Sequence, residues 1–292
     1  MPQSLSPTVA APRSAPGLFA ALARRNEVAL LLCLVLLLVF FSVASDSFLT
    51  TRNITNVLGQ ASLAMVAGVG LAIVVLSGEI DVSIGSLSGA VAIPLVTIMN
   101  STGSLWLGIG GALLLALFVG AINGYLSAYL RINSLIVTLG SLFVVRGAIY
   151  LYTGQRAIPD EVMLEEFFQL GNGRLFGVLP YPAVISILLL LAFGYLMRHR
   201  PFGRNIYAVG GNQEVARLAG YNVRRIKFVC FLISALMAGI AGILLASRLG
   251  SAVHVAGLGF EFQVVAAVVL GGVSLSGGVG SLFGVALGVL IL

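Results

Sequence analysis

The sequence predicts an all-α fold, a polytopic transmembrane bundle of about eight or more spanning helices with broken or re-entrant, glycine-rich elements among them. Three observations carry this. Hydrophobic residues make up 59% of the 292 and charged residues only 9%; the mean hydropathy is +1.08, whereas soluble domains are about 45–50% apolar. The apolar residues come in unbroken runs near the roughly 20 that a spanning helix requires. A transmembrane β-barrel needs short segments of alternating polarity instead, and the chain has none.

Taken in order, residues 1–26 are rich in Pro, Ser and Ala and predict a disordered cytoplasmic tail that ends in Arg24 and Arg25. The run after them has a basic start, an apolar middle and small residues at Ser42 and Ala44, the outline of a secretory signal. The many apolar segments that follow favour an uncleaved first helix. Helices are expected near 28–43, 57–77, 84–99, 105–127, 135–152, 180–197 and 228–249, followed by a Gly-rich hydrophobic region from 262 onward. Residues 27–292 thus form one transmembrane domain. The chain stops inside "FGVALGVLIL" with no polar flank, so further C-terminal helices are expected in a longer protein.

Basic residues set the orientation. With the N-terminus in the cytoplasm, eleven fall inside (Arg13, Arg24, Arg25, Arg131, Arg198, Arg200, Arg204, Arg217, Arg224, Arg225 and Lys227) and four outside (Arg52, Arg156, Arg174 and Arg248). The net charge of +6 therefore reads as a positive-inside bias and not as a nucleic-acid patch. The loop 153–179 lands outside, and its "DEVMLEEFFQL" predicts a short amphipathic helix at the interface. Trp106, Tyr150, Tyr152 and Tyr181 lie near helix ends, where aromatic belts form. Cys33 and Cys230 sit in apolar runs and read as small hydrophobes.

The inner segment 198–227 carries seven Lys/Arg and one acid, Glu214. Asn212 can cap "QEVARLAG" and Gly220 can stop it, which predicts a helix of about two turns. So short a helix is unstable alone; the membrane domain or a partner must hold it. A basic loop touching anionic lipid explains the charge but not a capped helix carrying Ala216, Ala219 and Gly220, small residues suited to docking in a groove.

In "VVLSGEIDVSIGSLSGA" (74–90) two acids interrupt apolar sequence. Glu79 and Asp81 can cap helix N-termini, line a polar route, or pair with a base such as Arg146. Their i, i+2 spacing puts them on different faces, so they need not share a role. Gln60, Asn123, Arg146 and Gln263 are the other polar groups able to line a route for a hydroxylated solute, or to act as interhelical hydrogen bonds. Arg146 can also snorkel to the outer interface. The segment "VVLGGVSLSGGVGSL" (268–282) resembles 74–90 weakly and suggests an internal repeat of broken helices.

"GEIDVSIGS" (78–86), "INSLIVTLGSLFVVRG" (132–147), "FGRNIYAVGGNQEVARLAGYNV" (202–223) and "AAVVLGGVSLSGGVGSLFG" (266–284) together resemble, in order, the permease subunit of bacterial ABC importers for simple sugars, the ribose, xylose and arabinose class. The resemblance implies an inner-membrane transport subunit working as a homodimer or pseudo-twofold heterodimer, with a cytoplasmic ATP-binding subunit and an extracytoplasmic sugar-binding protein as partners. It implies further that the inner segment is a coupling helix, with docking positions among Gly203, Arg204, Asn212, Glu214, Ala216, Arg217 and Gly220. ATP and Mg would be bound by the partner: a P-loop requires Gly-x-x-x-x-Gly-Lys-Ser/Thr, and the single lysine, Lys227, follows Ile226.

No enzyme is expected. Only His199 and His254 are present, with no serine set beside them for acyl transfer and no acid cluster for zinc. Two non-enzymatic rivals remain open: an ion-gradient carrier using Glu79 or Asp81 as coupling acid, and a membrane scaffold that transports nothing.

Overall fold

The structure is a computed structural model describing residues 26–292; the expected N-terminal tail lies outside the described residues. Among the described residues, seven helices are long and apolar enough to cross a membrane. They are α1 (Asn26–Ala44), α2 (Thr51–Leu76), the pair α3 (Ile84–Ala90) and α4 (Ala92–Thr102), α5 (Leu105–Gly124) running into a π turn at Tyr125–Tyr129, α6 (Ser134–Thr153), α8 (Tyr181–His199) and α11 (Val223–Leu249). Shorter helices are α7 (Glu165–Asn172), α9 (Pro201–Gly211), α10 (Gln213–Leu218), α12 (Phe260–Leu270) and α13 (Leu282–Ile291). Strands β1 (Ile158–Pro159) and β4 (Ser251–Ala252) pair antiparallel, as do β2 (Arg174–Leu175) and β3 (Leu179–Pro180).

The centre of the bundle is α2, every residue of which from Ser62 to Leu76 is buried. A helix apolar on all sides has no solvent face to keep, and α8, α11, α12 and α13 enclose it. Close approach comes from small residues, the usual device where water supplies no drive between helices. A side chain at Gly70 would stand 2.9 Å from the Ser234 backbone of α11. Gly242 of α11 likewise lies against the Ser88 carbonyl of α3. By contrast α1 buries nothing over residues 27–44 and meets the bundle chiefly through α13, where the Ser281 hydroxyl donates to Glu27 at 2.6 Å.

The glycine-rich region after 262 resolves into α12, too short to cross the ~30 Å hydrocarbon core at 1.5 Å per residue, and α13, which begins at Leu282. Its likeness to 74–90 is structural as well. At the end of α2 the Gly78 amide donates to Val75 (2.9 Å) and that of Glu79 to Val74 (3.2 Å); at the end of α12 the Gly272 amide donates to Val269 (2.9 Å) and that of Val273 to Val268 (3.2 Å). Gly78 and Gly272 both have φ +83°, so each helix closes with the same Schellman turn. The two connectors then meet: the Gly278 amide donates to the Leu76 carbonyl at 3.0 Å.

The amphipathic helix expected over 160–170 begins later, at Glu165, because the Asp160 carboxylate accepts the amides of Val162 and Met163 and closes a turn instead. The helix packs on α11, not along a lipid interface: Phe167 is fully buried and its carbonyl accepts the Ser247 hydroxyl.

Candidate functional site

The inner segment folds as two helices, where a single one was expected. Pro201 opens α9 at its first turn, and α9 packs on α8. Asn212 leaves the helical region (φ −160°) and its side chain accepts the amides of Glu214 and Val215, both at 3.0 Å, starting α10. The helix stops where Gly220 turns to φ +86°; Gly220 and Tyr221 donate to Arg217 and Ala216, both at 3.0 Å. A capping Asn is worth about 1 kcal/mol relative to Ala. In Asn212→Ala we expect amide exchange over 213–218 to speed up about fivefold, with the unfolding midpoint of the bundle unchanged; unchanged exchange would count against this role for the cap.

The residues anticipated as a docking set do not form one surface. Gly203 is buried and packs against the Met197 backbone, and Ala216 is buried at 2% exposure. Both therefore hold the segment onto the bundle and present nothing to a partner. Arg204 lies apart, in a cavity of about 970 Å3 with Glu27, Arg198 and Tyr207. Burial, with the charge of Glu27 adding, pushes the Tyr207 phenol above its usual range, and it donates to the Gly280 carbonyl at 3.0 Å. What α10 does present is the exposed Glu214–Arg217 ion pair (2.6 Å) and two apolar side chains, Val215 (60% exposed) and Leu218 (79%). Sequence reading passed over Val215 and Leu218; their i, i+3 spacing on a helix otherwise polar was the available signal.

Directly above α10 is a cavity of about 580 Å3, lined by Glu79, Lys227, Asn133, Gln213, Glu214 and Arg217 among others. Glu79 does not meet Arg146. Its carboxylate accepts from the Lys227 ammonium at 2.5 Å, with side-chain exposures of 14% and 7%. Lys227 is near the start of α11, where the helix dipole disfavours a cation, so the carboxylate offsets an otherwise poor position. Sequence reading used Lys227 for topology and to exclude a P-loop; that the single lysine in the chain pairs with Glu79 was not anticipated.

Asp81 lies deeper. Its Oδ1 accepts the Ser83 amide (3.0 Å) and hydroxyl (2.6 Å), and its Oδ2 accepts the Ser234 hydroxyl (2.8 Å). Asn123 donates to the Ser83 hydroxyl at 2.9 Å. Lys227 and Ser234 are seven residues apart on one face of α11, so the connector after α2 runs about 10 Å along that helix. Asp81 and Asn123 thus belong to a buried network linking α5, α11 and the start of α3.

Arg146 is buried at 7% exposure and does not snorkel. Its Nη1 donates to the carbonyls of Ala256 (2.8 Å) and His254 (3.3 Å), which fastens α6 to the loop 250–259. Glu261, a residue the sequence reading did not single out, is buried beside α3, its carboxylate occupying the room left by Gly85. A lone acid in "GFEFQVV" was the only sign of it.

At the far end of the bundle from α10, Gln60 of α2 and Gln263 of α12 meet in a cavity of about 570 Å3 that Ser88 and Arg248 also line. The six polar groups anticipated for a route therefore occupy four places: Gln60 with Gln263, Asp81 with Asn123, Glu79 alone by the α10 cavity, and Arg146 in a structural latch.

A spanning bundle with a cavity toward each end, and a hydrogen-bonded network between Ile80 of one and Ser88 of the other, has the architecture of a membrane permease. The chain belongs to the family described as the branched-chain amino acid transport system permease component, whose family model matches residues 53–292. It is 39% identical to the L-arabinose ABC transporter permease protein AraH of Azospirillum brasilense, over 100% of this chain and 85% of that one. It is 38% identical to the L-arabinose transport system permease protein AraH of Escherichia coli K12 (91% and 80%) and to the ribose import permease protein RbsC of the same strain (90% and 82%). No solved structure gives a significant match.

Proposed function

We propose that the chain is the permease subunit of an ATP-driven importer that moves a simple sugar across a bacterial inner membrane. The observation that carries this is α10: a two-turn helix, capped at both ends, held on the bundle by Ala216 and turning Val215 and Leu218 to the aqueous side. Exposed apolar side chains on so short a helix suit a cleft in another protein. The sugar importers among its relatives supply the substrate class, and the arginine bias supports a cytoplasmic α10 and N-terminus. The partners in this reading are a cytoplasmic ATP-binding subunit that holds ATP and Mg, an extracytoplasmic sugar-binding protein seated partly on the 153–179 loop, and a second permease copy in the surrounding lipid.

The mechanism follows from position. ATP favours the closed arrangement of the two ATPase subunits, and that differential affinity is the free energy available. Closure displaces α10. Its residues Glu214 and Arg217 share a cavity with Glu79 and Lys227, so the displacement reaches the connector after α2 and the start of α11 together.

The test is uptake into vesicles holding the permease, its ATPase and its binding protein. Uptake should require ATP hydrolysis and survive an ionophore; uptake that ignores ATP and collapses with the ion gradient would overturn the reading in favour of a carrier. Val215→Asp with Leu218→Asp should release the ATPase from the purified permease and lower uptake to under a tenth, since burying two carboxylates at an apolar contact costs several kcal/mol. An ATPase that stays bound would remove α10 as its seat.

A further inference from the structure

We infer that the cavity formed by α2, α11 and α12 is the site that receives the sugar from the binding protein; this rests on the importer reading above. The cavity, about 570 Å3, is within the roughly 300–1,000 Å3 of small-molecule sites. Gln60, Gln263 and Arg248 converge on it from three different helices. Among the described residues, the side chains of these three make no hydrogen bond or ion pair with the protein; the bonds at Arg248 go to its backbone carbonyl.

Unsatisfied amides on helices this apolar are costly against lipid, so the cavity is built for water or a polar guest. Gln offers both donor and acceptor, and Arg offers a fork of donors, which together match vicinal hydroxyls. Leu63 and Phe260 line the same cavity and suit the C–H face of a sugar ring. Among the described residues no carboxylate lines it. An amino acid, whose ammonium group needs one, fits poorly, and a neutral monosaccharide fits well.

The proposed docking surface connects to this site through the backbone at Ser247 and Arg248, which the Asn172 side chain holds. Asn172, at the end of α7, donates to the carbonyls of Ser247 (3.2 Å) and Arg248 (3.5 Å), and Gly171 is pressed against the Arg248 amide. A binding protein seated on the 153–179 loop therefore bears on the charged wall of the cavity.

The experiment uses the full complex in vesicles, with labelled arabinose as probe and leucine as competitor. Gln60→Ala with Gln263→Ala should lower uptake at least tenfold while the loaded binding protein still stimulates ATP hydrolysis. Gln263→Trp, which fills the cavity from an exposed position, should do the same. Asn56→Ala, one turn from Gln60 and outside the cavity, should leave uptake unchanged, and excess leucine should not compete. Normal uptake in the Trp variant, or joint loss of uptake and of stimulated hydrolysis in the Ala pair, would overturn the proposal. Absence of ATP-dependent uptake in the unaltered complex would instead strike the importer reading itself.

Discussion

Lys227→Met is expected to destabilise the bundle by about 3 kcal/mol, because it strands the Glu79 carboxylate in a largely dry position. The figure is at the low end for a broken buried pair, since Glu79 also lines the cavity above α10, where water reaches it. Glu79→Gln alone should cost at least as much: the ammonium it strands is the less exposed partner and stands near the start of α11, where the helix dipole disfavours a cation. The pair Glu79→Gln with Lys227→Met should regain most of the loss, since no lone charge remains. Unfolding midpoints of the four proteins in detergent close a double-mutant cycle with a coupling energy of about 1–3 kcal/mol. Independent, additive effects would show that the 2.5 Å contact contributes nothing to the fold.

A second large effect is expected at Gly210, the penultimate residue of α9. A side chain there would strike the Leu76 carbonyl and stand 2.6 Å from the Gly278 amide, two groups that are themselves hydrogen-bonded at 3.0 Å. Every obstacle is backbone, so no rotamer change relieves it. Gly210→Val must either lift α9 off the bundle or break that bond; overpacking costs about 1–3 kcal/mol and a buried orphaned amide about the same again. Gly211→Val is the control, because a side chain there meets nothing within 4 Å. We expect the first variant to lose folded yield and the second to match the parent. Equal yields would mean that the junction is softer than its contacts imply.

The spanning helices were legible because apolar length alone defines them, and Gly220 marked the end of α10 for the same reason that Asn212 marked its start: backbone geometry at a helix terminus is local. What stayed hidden was tertiary. In α9, "PFGRNIYAVGG" holds three glycines, poor helix formers, and the helix exists because Gly203 and Gly210 let it lie against backbone. Directions around α2 and α12 were equally unreadable, since a helix apolar on every side carries no periodic record of which face meets its neighbours. Thus Gln60 and Gln263 could be named as candidates, but not paired. Arg146 could be placed at depth, while its carbonyl partners 108 and 110 residues away left no trace in spacing. The small residues of α10 suggested a docking face; the fold turned Ala216 inward and left Val215 and Leu218 exposed instead.

Two copies of one turn, at Gly78 and Gly272, close α2 and α12, and the connector after the second closes on the first beneath Gly210: the Gly278 amide bonds the Leu76 carbonyl, and a side chain at Gly277 would stand 2.8 Å from the Gly78 Cα. Load arriving there has no single owner. Like the keystone of an arch, the contact passes thrust on one limb to the other, so the pairs α2–α3 and α12–α13 either yield in step or part with the bond that joins them.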